Sequence, residues 1–176
     1  MGVMSGWGEY GAAWACFLGA HMIPALPGPR GWLIGRLGRR GYLAAFSLLS
    51  IGLLYWLILA AGRAPHVPLW DQPGWSRWLV NVAMPAAVLV AALARGMSGL
   101  VAAFALWAGA HLVANGDLSH AILFGGMLAF ALSGLLRSGL PKAFRVTWRR
   151  LVLAVLAWAA LLHLHPLVIG VSPLPA

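Results

Sequence analysis

The sequence predicts an all-α integral membrane bundle of about six transmembrane helices, both termini outside, with a short amphipathic helix after the first span. Three observations carry this. First, 62% of the 176 residues are hydrophobic and only 9% are charged, whereas a soluble domain carries roughly a quarter charged and about half apolar residues. Second, the apolar excess recurs as separate runs of about 20 residues, the length that crosses the hydrocarbon layer. Third, the basic residues collect between these runs, as orientation signals do. A chain this short has no room for a soluble domain beside so many spans, so residues 1–176 form a single membrane domain.

The spans fall near Trp7–Leu26, Gly41–Gly62, Trp78–Ala94, Gly99–Asn115, Leu118–Arg137 and Leu151–Val171. Each is helical, because a backbone facing lipid must satisfy its own hydrogen bonds. The runs are too long for barrel strands and show no alternation with period two. Pro27-Gly28-Pro29 is expected to end the first span, since proline lacks the N–H and glycine frees the backbone. Gly31–Gly38 then forms the short amphipathic helix, with Trp32, Leu33 and Leu37 set against Arg30 and Arg36. No basic stretch precedes the first apolar run, so that span itself is expected to direct insertion.

The net charge of +9 does not point to nucleic acid, because the basic residues form no single polar face. Arg30, Arg36, Arg39 and Arg40 lie in the first connection, Arg95 in the third, and Arg137, Lys142, Arg145, Arg149 and Arg150 in the fifth. Only Arg63 and Arg77 fall on the other side. The positive-inside rule therefore makes the odd connections cytoplasmic and turns both termini outward. Trp70, Trp75 and Trp78 suit an aromatic belt at the outer surface. The expected location is a bacterial inner membrane, with several passes.

Glu9, Asp71 and Asp117 fall at span ends or in loops, and no lysine or arginine lies in mid-span. A cation-coupled transporter is disfavoured, since its pathway would place an acid at depth. What remains inside the membrane is imidazole, a common ligand of haem iron, zinc and copper: His21, His111, His120, His163 and His165, with His66 in the outer loop. A lone membrane histidine is often only a hydrogen-bonding partner between helices. His120 lies near the outer surface and is expected to be solvated. His163 and His165 are about 200° apart around a helix. The small neighbours Ala159 and Ala160 favour His163 as the inward one, with His165 at the membrane edge.

His21 and His111 share a setting: Trp14-x-x-Phe17-x-x-x-His21 and Phe104-x-x-Trp107-x-x-x-His111. Positions i−7, i−4 and i fall on one helical face, so each histidine ends a stripe of aromatics that could line a flat, apolar cofactor. Such stripes are also the ordinary stuff of packing. Cys16 lies about 140° from His21 and is a poor co-ligand there. The predicted orientation puts His21 in the inner half and His111 in the outer half, about 13 Å apart along the normal. A group shared by both would lie rather flat near the midplane. His111 with His163 is an alternative pair, both in the outer half.

Two stretches go beyond composition. One is Gly19-Ala20-His21-Met22-Ile23-Pro24-Ala25-Leu26-Pro27-Gly28-Pro29-Arg30, followed by Gly41-Tyr42-Leu43-Ala44-Ala45-Phe46-Ser47-Leu48-Leu49-Ser50. The other is Leu106-Trp107-Ala108-Gly109-Ala110-His111-Leu112-Val113-Ala114-Asn115-Gly116-Asp117-Leu118, then Ile122-Leu123-Phe124-Gly125. With Pro68-Leu69-Trp70 and Pro73-x-Trp75, they resemble the NnrU family of bacterial membrane proteins, associated with denitrification. The resemblance covers most of residues 15–137 and little of the last span. That family is in turn similar to plant 15-cis-zeta-carotene isomerase, a membrane enzyme that uses haem b. The resemblance implies that His21 and His111 stand where its axial haem ligands stand. Relatives commonly carry Arg-His-Pro ahead of the fourth span; here Met97-Ser98-Gly99 stands instead, a departure that leaves open whether the role of that motif is kept or lost.

The expected function is a haem b-binding membrane protein linked to nitrite or nitric oxide metabolism, with redox or isomerase activity. Trp14, Phe17, Phe104 and Trp107 would wall the porphyrin, and Asn115, one turn beyond His111, would hydrogen-bond behind it. The alternative is a cofactor-free accessory or assembly subunit of a larger membrane enzyme. Its Gly- and Ala-rich helix faces suit other membrane subunits or a second copy of the chain.

Overall fold

A computed structural model describes residues 4–174. Among these it has six α-helices and no strands: α1 (Met4–Met22), α2 (Pro27–Arg63), α3 (Gly74–Leu93), α4 (Met97–Ala114), α5 (Leu118–Ser138) and α6 (Trp148–Val168). Five of them, α2 to α6, are long and apolar enough to cross a membrane, so the chain is a multi-pass membrane protein. The surface distribution agrees with a lipid solvent. Leu48, Ile51, Val82, Leu136 and Leu167 are among the many large apolar side chains turned outward, which water would not tolerate in such numbers.

The chain divides into two compact units, residues 1–66 and 67–176. In the first, α1 packs against α2. Helix α1 ends at Met22, four residues before the expected Leu26, because Pro24 enters a single 3-10 turn, Ile23–Ala25. Leu26 is extended, and Pro27 opens α2, where its missing N–H would have had no helical partner anyway. The proline cluster therefore starts the next helix rather than only ending the first. The expected amphipathic helix is the first third of α2. It breaks from the span at Gly38, whose φ of 68° and ψ of 162° are not helical. At the opposite end, Glu9 accepts hydrogen bonds from Arg63 at 2.8 Å and from the Trp56 indole at 3.1 Å. This ties the start of α1 to the end of α2.

In the second unit α4 packs on both α3 and α5, and α6 packs on α3. Small residues permit the approach: Ala103, Ala108 and Ala110 of α4 are buried, with Leu123, Met127 and Ala131 of α5. In lipid, close backbone approach and dispersion replace the hydrophobic effect as the source of helix association. Connections on each side are also paired. Leu69 and Trp70 donate their N–H groups to Gly116 O, and Leu118 donates to Val67 O. At the other end Arg95 donates to Ala143 O, and Arg145 to Leu93 O. The second connection thus meets the fourth and the third meets the fifth, as alternating crossings require. Asn81, near the start of α3, donates to Pro173 O at 2.7 Å, which holds the segment after α6 to that same end.

Candidate functional site

Each of the two histidines singled out by sequence sits near the C-terminal end of its helix, and each is held the same way. The His21 Nδ1 lies 2.7 Å from Phe17 O, and the His111 Nδ1 lies 2.8 Å from Trp107 O. A carbonyl oxygen only accepts, so in both rings Nδ1 is the donor, and the neutral form of either ring would offer Nε2. The bond spans one helical turn, so the backbone of the aromatic residue at i−4 sets the tautomer of the histidine above it.

In the first unit the predicted stripe exists. Trp14 and Phe17 are 6.2 Å apart edge-on, and the Phe17 ring lies 4.2 Å from the His21 imidazole. The stripe continues back through Tyr10 to Trp7. From α2, Phe46 meets His21 at 5.4 Å and stacks with buried Tyr42 at 6.0 Å. These two aromatics lie in the stretch that carries the family resemblance, yet the sequence assigned them no part. Phe17 is buried and Trp14 half-buried. Among the described residues the buried Trp14 indole N–H meets no acceptor, a deficit that costs ~1–3 kcal/mol. Cys16 is exposed, off this face as its helical angle requires.

The second unit repeats the arrangement. Phe104 stacks on Trp107 at 5.0 Å, and Trp107 lies 5.5 Å from His111. Buried Phe124 of α5 takes the place that Phe46 has beside His21, 5.1 Å from the His111 ring and 5.3 Å from Trp107. Asn115 donates to the His111 backbone carbonyl at 2.8 Å, so it closes the end of α4 and does not touch the imidazole ring through that bond.

Phe124 also stacks on His120, 6.1 Å away. His120 is not simply solvated: its Nδ1 donates to Asp117 Oδ2 at 2.6 Å. Asp117 caps α5, accepting from the His120 N–H at 3.2 Å and from the Ser119 hydroxyl at 2.7 Å. Burial alone would raise the Asp117 carboxyl. The Ser119 hydroxyl, the His120 amide and the His120 ring together hold it below its usual range. The sequence held the signal, an aspartate at an N-cap with a histidine three residues on.

On α6 the expectation is reversed: His163 is exposed and His165 half-buried. The packed stripe runs Ala154, Trp158, Leu162, His165 and Ile169, at helical spacing. Trp158 and Leu162 are half-buried on the side of buried Ala154, and the face one residue over, with His163, is exposed. His165 Nδ1 donates to Val171 O at 2.6 Å. His66 is exposed.

These side chains can be tested against the donor set that a metal needs. Among the described residues no group of three or more His, Cys, Asp or Glu side chains converges, as a zinc or copper centre built from side chains alone would need. A porphyrin iron asks less, because the macrocycle supplies four nitrogens and the protein only axial ligands. His21 and His111, each beside an aromatic wall in its own unit and each donating from Nδ1, are side chains of the type such an iron takes. The unmet Trp14 N–H fits a wall that meets something with an acceptor atom.

Residues 11–173 match the model of a family described as NnrU protein. The match extends through the last span, beyond the region in which the sequence alone showed the resemblance. No curated protein and no solved structure matches the chain.

Proposed function

The chain belongs to the NnrU family, and from that premise we propose that it is a haem b-binding protein of the bacterial inner membrane, in which His21 and His111 would hold the iron. One observation supports this most: both histidines donate from Nδ1 to the carbonyl at i−4, so the neutral form of either ring would offer Nε2. An imidazole that donates from its other nitrogen is oriented and made more basic, as metal-ligating histidines usually are. Phe17 and Phe46 in one unit, and Trp107 and Phe124 in the other, would exclude water from the rings they flank. Haem, when bound, supplies one-electron redox chemistry. The link to nitrite or nitric oxide metabolism rests on the family, and an isomerase activity on its distant similarity to the plant enzyme.

Optical spectra of the purified full-length protein test the reading. A Soret band with sharp reduced α and β bands is expected, lost in His21→Ala and in His111→Ala. If both histidines bind iron, carbon monoxide should enter the ferrous protein only slowly or partially. A folded, colourless protein that takes up no added haemin would overturn the proposal and return the chain to the accessory-subunit reading.

A further inference from the structure

We propose that a basic cleft at the start of α6 binds the headgroup phosphate of an anionic phospholipid. The cleft has a volume of about 470 Å³ and is lined by Arg145, Thr147, Trp148, Arg149 and Arg150. Its charge has no internal answer. The chain has three acidic residues, Glu9, Asp71 and Asp117, and Glu9 pairs with Arg63 while Asp117 pairs with His120. Asp71 precedes α3, whose far end borders the cleft, roughly 30 Å away along a helix of this length. Asp117 begins α5, likewise at the other end of the unit. Among the described residues, no carboxylate of the second unit lies at this end.

One guanidinium is held in place, a second leans on an indole, and Arg145 is fixed through its backbone alone. The backbone of Arg145 is fixed by its N–H bond to Leu93 O at 2.7 Å. The Arg150 side chain donates to Ala92 O at 3.0 Å, which uses one of its five N–H groups and leaves the rest to an anion. Arg149 lies over the Trp148 ring at 5.8 Å. Thr147 caps the helix through the Arg150 N–H. A planar fork held in place suits a phosphate better than a flexible point charge does.

What lies beyond the cleft selects a lipid over a soluble anion. Along α6, Leu151, Val152, Val155 and Leu156 are all exposed, on a helix apolar enough to cross the membrane. Trp148 is 70% exposed at the level where indole rings anchor membrane proteins. Phosphate at one end and an apolar flank continuing from it match the two halves of a phospholipid. Basic pockets of this kind beside helices hold anionic headgroups. Orientation by the positive-inside rule needs only charge; lipid capture needs these three arginines in this place.

The test reconstitutes the full-length protein into nanodiscs of phosphatidylglycerol, cardiolipin or phosphatidylcholine and counts retained lipid by native mass spectrometry. Retention of phosphatidylglycerol or cardiolipin, and not of phosphatidylcholine, is expected. The triple variant R145Q/R149Q/R150Q should lose about a hundredfold in retention, since each basic residue near an anionic surface contributes a factor of about five. R30Q/R36Q/R39Q removes the same charge from the first unit and should leave retention unchanged. R145K/R149K/R150K keeps the charge and the orientation signal but should hold the lipid more weakly. Equal loss in both glutamine variants, full retention in the lysine variant, or displacement of the lipid by millimolar inorganic phosphate would each overturn the proposal.

Discussion

At the scale of single residues, the recurring device is an imidazole whose Nδ1–H is given to a fixed acceptor. For His21 and His111 the acceptor is a backbone carbonyl one turn back; for His120 it is the carboxylate of Asp117. The Asp117 case makes a prediction about pH. Its folded-state carboxyl is held below the usual range, so its stabilisation is complete above the ordinary aspartate value of about 3.9. That contribution is lost as pH falls through the depressed value. In detergent, Asp117→Asn should cost ~1–3 kcal/mol at neutral pH. Its thermal midpoint should also fall less than that of the wild type between about pH 5 and pH 3. Parallel acid curves for the two proteins would show that the carboxylate contributes nothing specific. Much of this site is legible from one helix at a time, because His, i−4 and i−7 are local. Phe46 and Phe124 are not, because they arrive from the neighbouring helix of each unit.

At the scale of elements, the connections decide as much as the helices. The segment after Val67 lies against the turn between α4 and α5 so closely that a Cβ on Gly116 would overlap the Trp70 carbonyl. Gly116→Ala must therefore open the pairing of Leu69, Trp70 and Leu118 with their acceptors. A loss of ~1–3 kcal/mol is expected, with faster amide exchange at those three residues than elsewhere in the unit. Unchanged exchange there would mean that the chain absorbs the methyl without parting. Helix α6 carries the opposite lesson. Its small residues pointed to His163 as the inward side chain, whereas Trp158 and Leu162 claim the packed face and bring His165 with them. On a helix that is apolar all round, small size is a weaker guide to the packed face than the fit of the large side chains opposite.

At the scale of the whole molecule, sidedness is the property with the widest consequence. Ten of the twelve basic residues lie in the odd connections, with only Arg63 and Arg77 elsewhere. Within the second unit the backbone pairs the third connection with the fifth and the second with the fourth. Single cysteines placed at exposed Gln72 and Lys142, with Cys16 replaced by serine, should be labelled from opposite sides of a sealed membrane. Lys142→Cys should react from the cytoplasmic side. Labelling of both from one side would overturn the orientation.

The sequence by itself determined that this is a helical, multi-pass membrane chain, where most of its later connections lie, and which histidines carry an aromatic stripe. Those properties depend on apolar length, charge placement and spacing along one helix, all of which are written in one dimension. Only the tertiary structure decided that Phe46 and Phe124 complete the two histidine settings. It also decided that Asp117 binds His120, that His165 rather than His163 turns inward, and that three arginines line one cleft. The reason is physical. In water the buried face of a helix announces itself by contrast with a polar one. In lipid every face is apolar, so which face packs is settled by shape and hydrogen bonds between helices.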